Sequence, residues 1–238
     1  MGISMDAVIS RSVSIPRKCK GERTMAQRLI HYLFGDIFSK QMPALDRNRF
    51  LLGSVLPDAY ANAADRDRTH FIKKNDTQVY FDFEKFREQF LPWILKDDLY
   101  LGYYMHLVED AFYRQFIYSG RFTMPRNMEE VRILHIDYHI INSHIVAKHQ
   151  LQDNILKHVE LGQGPIGDIA EFRANEFLEE MSCDFIERIE GETRFFTECM
   201  ADEFIDKYAA LGFDELQSIR NGKSILSATG YTWKRNKS

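Results

Sequence analysis

Apolar residues along the chain recur at three- and four-residue spacing rather than in alternation, which predicts helices joined by polar links. The densest stretch is Leu99 to Ile117, LYLGYYMHLVEDAFYRQFI. Leu101, Met105, Val108, Ala111 and Phe112 make one broad face, and Tyr104, Leu107 and Phe116 carry apolar surface well round the cylinder. A helix apolar on most sides belongs in the centre of a bundle. Upstream, from about Met25, AQRLIHYLFGDIFSK reads as a helix with Thr24 as N-cap and Leu29, Tyr32, Leu33 and Phe38 as core. A polar link, Gln41 to Arg47, leads into the apolar run FLLGSVLPDAYAN. Thr77 to Lys96 reads as another helix, with Phe81, Phe83, Phe86, Phe90 and Trp93 inside and Pro92 as a kink or stop. After the central stretch, NMEEVRILHIDYHIINSHIVAKHQL is helical again, capped by Asn127 with Glu130 at the capping-box position. Gly162 to Pro165 is the clearest break. Beyond it, Ile166 to Glu190 and Arg194 to Leu211 form two amphipathic helices, with Gly212 suited to a C-cap. No period-2 strand or internal repeat stands out. The expected architecture is an all-α multi-helix bundle of roughly six to eight helices.

The 238 residues suffice for one large core, and no composition break demands two domains. The expected organisation is a flexible tail over 1–23, a helical core over 24–161 and two helices over 162–212 packed on the same domain. Residues 213–238 form a turn-rich, basic extension. With 31 basic against 35 acidic residues, the chain lacks the positive balance of a nucleic-acid binder, so no stable nucleic-acid complex is expected. Cys19, Cys183 and Cys199 show no C-x-x-C spacing and no even framework, which excludes cysteine zinc knuckles. No stretch resembles a signal peptide or a membrane span, so a cytoplasmic protein is expected. Gly222-Lys223-Ser224 lacks the earlier glycine of a phosphate-binding loop.

The polar residues that interrupt the apolar pattern carry the chemistry. His106 and Asp110 stand one turn apart on the remaining stripe of the central helix, with Gly102 a turn before them. A buried imidazole and carboxylate need partners, because a bare buried charge is costly. A divalent metal is one partner; a simple His–Asp hydrogen bond is another. Pro57 holds Asp58 in a turn at the end of a buried segment, and Thr69-His70-Phe71 ends a charged loop with an imidazole. Asp58, His70, His106 and Asp110 make a set of two imidazoles and two carboxylates. Such a set suits zinc, iron or manganese better than calcium. His31 sits on an apolar helix, and His135, His139 and Asn142 share a stripe, with Asp137 and His144 roughly opposite. The His135–His139 pair reads equally well as a satisfied polar patch. His144, His149 and His158 read as surface or structural residues.

Leu29 to Tyr113 resembles the zinc-dependent phospholipase C family, whose helical fold the fungal single-strand nucleases share. The resemblance rests on His31, the phrase Gly53-Ser-Val-Leu-Pro57-Asp58, the isolated His70, and Gly-Tyr-Tyr-Met-His106-Leu-Val-Glu-Asp110-Ala-Phe. It implies a phospholipase C-like, single-strand-nuclease-like bundle in which Asp58, His70, His106 and Asp110 surround one zinc. It also implies that His31 binds a second zinc, bridged by Asp110. The family's further histidine after the central Asp is missing from AFYRQFIYSG, and His135-x-x-x-His139 is the nearest analogue of its His-x-x-x-Glu pair. The implied chemistry is hydrolysis of a phosphodiester or phosphomonoester by a metal-activated water. Zinc or another divalent transition metal, one to two ions, is the expected cofactor, and a phosphoester, phospholipids included, the expected substrate. Asp58 or Asp110 would serve as ligand or general base. Arg114, a turn beyond Asp110, and Tyr103 are the candidate phosphate-binding residues, with Glu109 as a supporting group behind the ligands. The competing expectation is a non-catalytic helical protein with a structural metal or a purely structural His/Asp cluster.

Overall fold

Helix α5 (Asp98–Ile117) is the buried centre of the molecule: Leu99 to Leu107 are all essentially inaccessible to solvent. It is seen in a computed structural model that describes residues 28–119, 122–153 and 160–234. The expected tail over 1–23, the Thr24 cap, Cys19 and His158 lie outside the described residues. Around α5 stand α1 (Arg28–Gln41), α2 (Arg47–Val55), the short α3 (Arg66–Thr69), α4 (Phe83–Ile94), α6 (Met128–His149), α7 (Ala174–Ile186) and α8 (Glu198–Arg220). The chain is mostly helical, as the periodicity predicts.

The closest approach in the bundle is between α2 and α5. A Cβ on Gly53 would lie 2.0 Å from the Leu99 carbonyl oxygen, and one on Gly102 would lie 2.1 Å from the Phe50 carbonyl oxygen. Two facing glycines therefore let the two backbones touch. Aromatic rings fill the other sides of α5. Phe86 of α4 stacks on Tyr103 at 4.7 Å, and Tyr208 of α8 stacks on Phe112 at 4.8 Å. Helix α6 packs on α1, α7 and α8.

The structure corrects several boundaries. Residues Thr77 to Phe81 do not begin a helix. Ile72–Lys74 (β1) and Gln78–Phe81 (β2) form an antiparallel hairpin, and Trp233–Lys234 (β3) pairs with β2 on its other side. The turn between β1 and β2 is closed by Asn75, whose side-chain oxygen accepts from the N–H groups of Thr77 and Gln78. Asp82 then caps α4 by accepting from Lys85 N–H at 3.1 Å. Pro92 lies inside α4, which continues two residues past it. Residues 166–173 are not part of α7; a 3-10 turn at Pro165–Asp168 precedes it. Gly212 is not a C-cap. It lies within α8, where a Cβ would meet Phe38 Cζ at 2.8 Å. The helix ends eight residues later at Arg220; Gly222 just beyond it has φ +75° and donates to the Ile219 carbonyl, while Lys223 N–H donates to the Ser218 carbonyl. The 212/213 boundary thus falls inside a helix. The segment beyond α8 packs on the core, with Trp233 against Phe81 and Tyr231 against Phe112.

Asn127 accepts from Glu130 N–H at the start of α6, as predicted, and Glu130 reaches back to the N–H of Arg126 instead of Asn127. Further along α6, the buried Asp137 carboxylate accepts from three successive N–H groups, those of Arg194, Phe195 and Phe196, at 2.6 to 3.0 Å. It is the anchor of the α7–α8 connection. Asp137→Ala leaves three donors without this acceptor and is expected to cost about 2–4 kcal/mol, whereas Asp137→Asn, which keeps one acceptor oxygen, should cost less. Thermal denaturation of the two variants beside the parent measures this, and equal midpoints for all three would remove the anchoring role.

Candidate metal centre

Four elements bring six ionisable side chains together. The fourth residue of α1 is His31, on the face that helix turns inward. Asp58 ends the 3-10 turn Leu56–Asp58 that follows α2 and has Pro57 in its middle. Its loop is fixed from outside, since Ala61 N–H donates to the Glu171 carbonyl and Arg173 N–H to the Ala59 carbonyl. His70 closes α3, and Phe71 behind it takes a left-handed conformation with φ 50°. That conformation is unfavourable for a side chain bearing a Cβ, and here it turns the chain from α3 into β1 straight after the imidazole. Helix α5 supplies His106, Glu109 and Asp110. His31, Asp58, His70, His106 and Glu109 are buried; the Asp110 side chain is 18% exposed and forms the solvent side of the cluster.

The hydrogen bonds fix the imidazoles. His106 Nδ1 donates to the Ser54 carbonyl at 2.9 Å, so Nε2 carries the lone pair; that atom is buried with no hydrogen-bond partner. His70 Nδ1 donates to the Arg66 carbonyl at 3.0 Å, which turns its Nε2 toward Asp58 Oδ1 at 3.1 Å. His31 Nδ1 donates to Glu109 Oε2 at 2.8 Å. Backbone carbonyls and a carboxylate behind the rings are the supports that orient histidine ligands toward a metal.

All three Nε2 atoms face Asp110, on different oxygens. His70 and His106 lie 3.7 Å from Oδ2, and His31 lies 3.6 Å from Oδ1. Ligands of one tetrahedral ion, each about 2.0–2.1 Å from it, stand ~3.4 Å apart. The observed separations are too long for hydrogen bonds and close to ligand edges. Two overlapping groups can hold an ion: His70, His106 and Asp110, and His31, Asp58 and His106.

Electrostatics follow from the crowding. Burial opposes charge on His31, but Asp110 and Glu109 outweigh it and raise its pKa to about 10. Burial, reinforced by the charge on His31 stacked 3.8 Å away, lowers His106 to about 3. Glu109 is pushed up to about 7 by burial, against the pull of His31. Burial works against ionisation of Asp58 and Asp110, and the surrounding imidazoles overcome it and hold both below the usual carboxylate range. The cluster therefore offers two ionised carboxylates and one neutral, unpartnered nitrogen in a nearly dry site. An ion held by His31 would have to replace the proton that ring carries.

The remaining sequence candidates lie elsewhere. Tyr103 is fully buried, stacked on Phe86, and its hydroxyl donates to the Thr69 carbonyl at 2.6 Å; it braces the segment before His70 and is not exposed to a substrate. The Arg114 guanidinium lies over the Trp233 ring, 5.4 Å from its centroid. His135 and His139 are on the partly exposed side of α6, outside the central cluster, and His139 faces Glu187 at 3.7 Å. His144 pairs with Asp202 and Glu198 of α8. Gly222-Lys223-Ser224 follows the C-terminal end of α8 and does not lead into an α-helix as a phosphate-binding loop does. Sequence reasoning gave no role to Asp184 and Glu187, whose helix carries no histidine. Among the described residues no helix is long and apolar enough to cross a membrane. The chain matches no family model, no curated protein and no solved structure in the comparisons made.

Proposed function

We propose that the chain is a metal-dependent phosphoester hydrolase with a zinc-class centre formed by His31, Asp58, His70, His106 and Asp110. The observation that carries this reading is the placement of Asp110, whose two oxygens face different imidazoles. Oδ1 is on the His31 side and Oδ2 on the His70 and His106 side. A carboxylate so placed suits a bridge between two ions, which in two-metal hydrolases stand about 3.5–4 Å apart. The unpartnered Nε2 of His106 fits the same reading, since a ligand nitrogen needs its lone pair free. A metal held by these residues would supply Lewis-acid polarisation of a phosphoryl oxygen and lower the pKa of bound water toward neutrality.

The protein's own share is orientation, charge and proton handling. Ser54 and Arg66 carbonyls hold two rings with Nε2 inward. Glu109 holds the third by accepting from its Nδ1–H. Asp110, the most exposed member, marks the side from which a phosphoester and water would reach the cluster. Asp58 and Asp110 are the two candidates for general base.

Metal content and phosphodiesterase activity of His31→Ala beside the parent test this. The two-ion reading expects the variant to lose about one equivalent of transition metal and most activity with its fold retained. Unchanged stoichiometry with a stability loss of only about 1–3 kcal/mol would leave His31 a core hydrogen-bond donor and overturn the two-ion centre.

A further inference from the structure

We infer that helices α6 and α7 form a separate divalent-metal site from His139, Asp184 and Glu187. Each offers one ligand atom, and the three atoms lie within 4.8 Å of one another. His139 Nδ1 is 3.7 Å from Glu187 Oε2, beyond a hydrogen bond and near the ~3.4 Å edge of a tetrahedral site. Glu187 supplies the independent observation. Its Oε1 is buried and has no hydrogen-bond partner. A carboxylate oxygen withdrawn from water without a donor is costly, and a cation removes that cost.

The site is held in place before any ion arrives. Ser143, one turn beyond His139 on α6, accepts from Ile189 N–H at 3.0 Å and donates to the Glu187 carbonyl at 3.3 Å. The chain leaving α7 is thereby pinned across α6 with Glu187 beside His139. Asp184 is nearly inaccessible and accepts from Arg28 Nε at 2.5 Å. A carboxylate has two oxygens, so one can keep the guanidinium while the other takes an ion. One imidazole and two carboxylates form an N/O set for zinc or manganese. The His139 side chain, 42% exposed, gives the ion access from solvent and leaves coordination positions for water. This ligand set is unlike the His135-x-x-x-His139 pair: it leaves out His135 and takes both carboxylates from α7 and its end. It stands whether or not the central cluster is a hydrolase centre.

The test is zinc titration of the stripped protein, followed by calorimetry and element analysis. Glu187→Gln and His139→Gln alter partly exposed side chains, so the bundle is retained, as circular dichroism would verify. Each is expected to bind about one zinc fewer than the parent. His106→Asn, which disables the central cluster, is expected to keep that outer equivalent. Equal stoichiometry in the parent, Glu187→Gln and His139→Gln overturns the outer site while leaving the central one standing. Loss of zinc in the two outer variants but not in His106→Asn supports the outer site and contradicts the central one.

Discussion

Gly102→Ala is expected to rank, with Gly53→Ala on the facing helix, among the most damaging single-methyl substitutions at the described residues. The added Cβ would sit 2.1 Å from the Phe50 carbonyl oxygen and 2.8 Å from Ser54 N, both backbone atoms, so no side chain can swing aside. Helices α2 and α5 must separate. Their separation opens the centre of the core and pulls Ser54 and Asp58, at the end of α2, away from His106 and Asp110. Overpacking on rigid backbone belongs at the upper end of the range, roughly 3–5 kcal/mol. For a domain of this size that lowers the thermal midpoint by on the order of 10 °C. Gly167→Ala is the control, because a Cβ there meets nothing within 4 Å. If Gly102→Ala melts with the control, the α2–α5 contact is not the close seam described.

The second large effect is at His106, where fold and chemistry can be separated. Removing the imidazole in His106→Ala leaves a fully buried void and takes the donor from the Ser54 carbonyl, for an expected loss of about 2–4 kcal/mol. His106→Asn keeps an N–H in reach of that carbonyl and removes only the inward nitrogen. It should stay close to the parent in stability and lose the metal bound between His70, His106 and Asp110, and with it any metal-dependent phosphodiesterase activity. Retention of full metal content by a folded His106→Asn would remove His106 from the ligands.

The residues of the central cluster were legible because each broke a strong local pattern. His106 and Asp110 are one turn apart on a helix otherwise apolar all round, and Pro57 fixed a turn just before Asp58. Glycine at 102 read as space on the stripe, and the structure fills that space with the backbone of α2. The hairpin was not legible, because Phe81, Phe83, Phe86 and Phe90 also fit helical spacing and β2 has only four residues. Asn75 and Asp82, the turn and cap residues on either side, were the available signal. Gly212 misled for a related reason: a glycine after an amphipathic run fits a C-cap and a ring contact equally well. The surroundings of Tyr103 and of the His135–His139 stripe are set by tertiary packing. Periodicity places residues on a common face without saying which neighbour that face meets, and here Tyr103 meets Phe86 while His139 meets α7. Glu187 was invisible because its role depends on the chain folding back over α6 after α7 has ended.

The central claim is that a transition metal sits where three imidazole nitrogens converge on Asp110. Anomalous diffraction at the zinc edge, from crystals of protein loaded with zinc, tests it most directly. The expected result is a peak about 2.0–2.1 Å from His106 Nε2 and within bonding distance of Asp110. A map of fully loaded crystals with no peak between His70, His106 and Asp110 would contradict it.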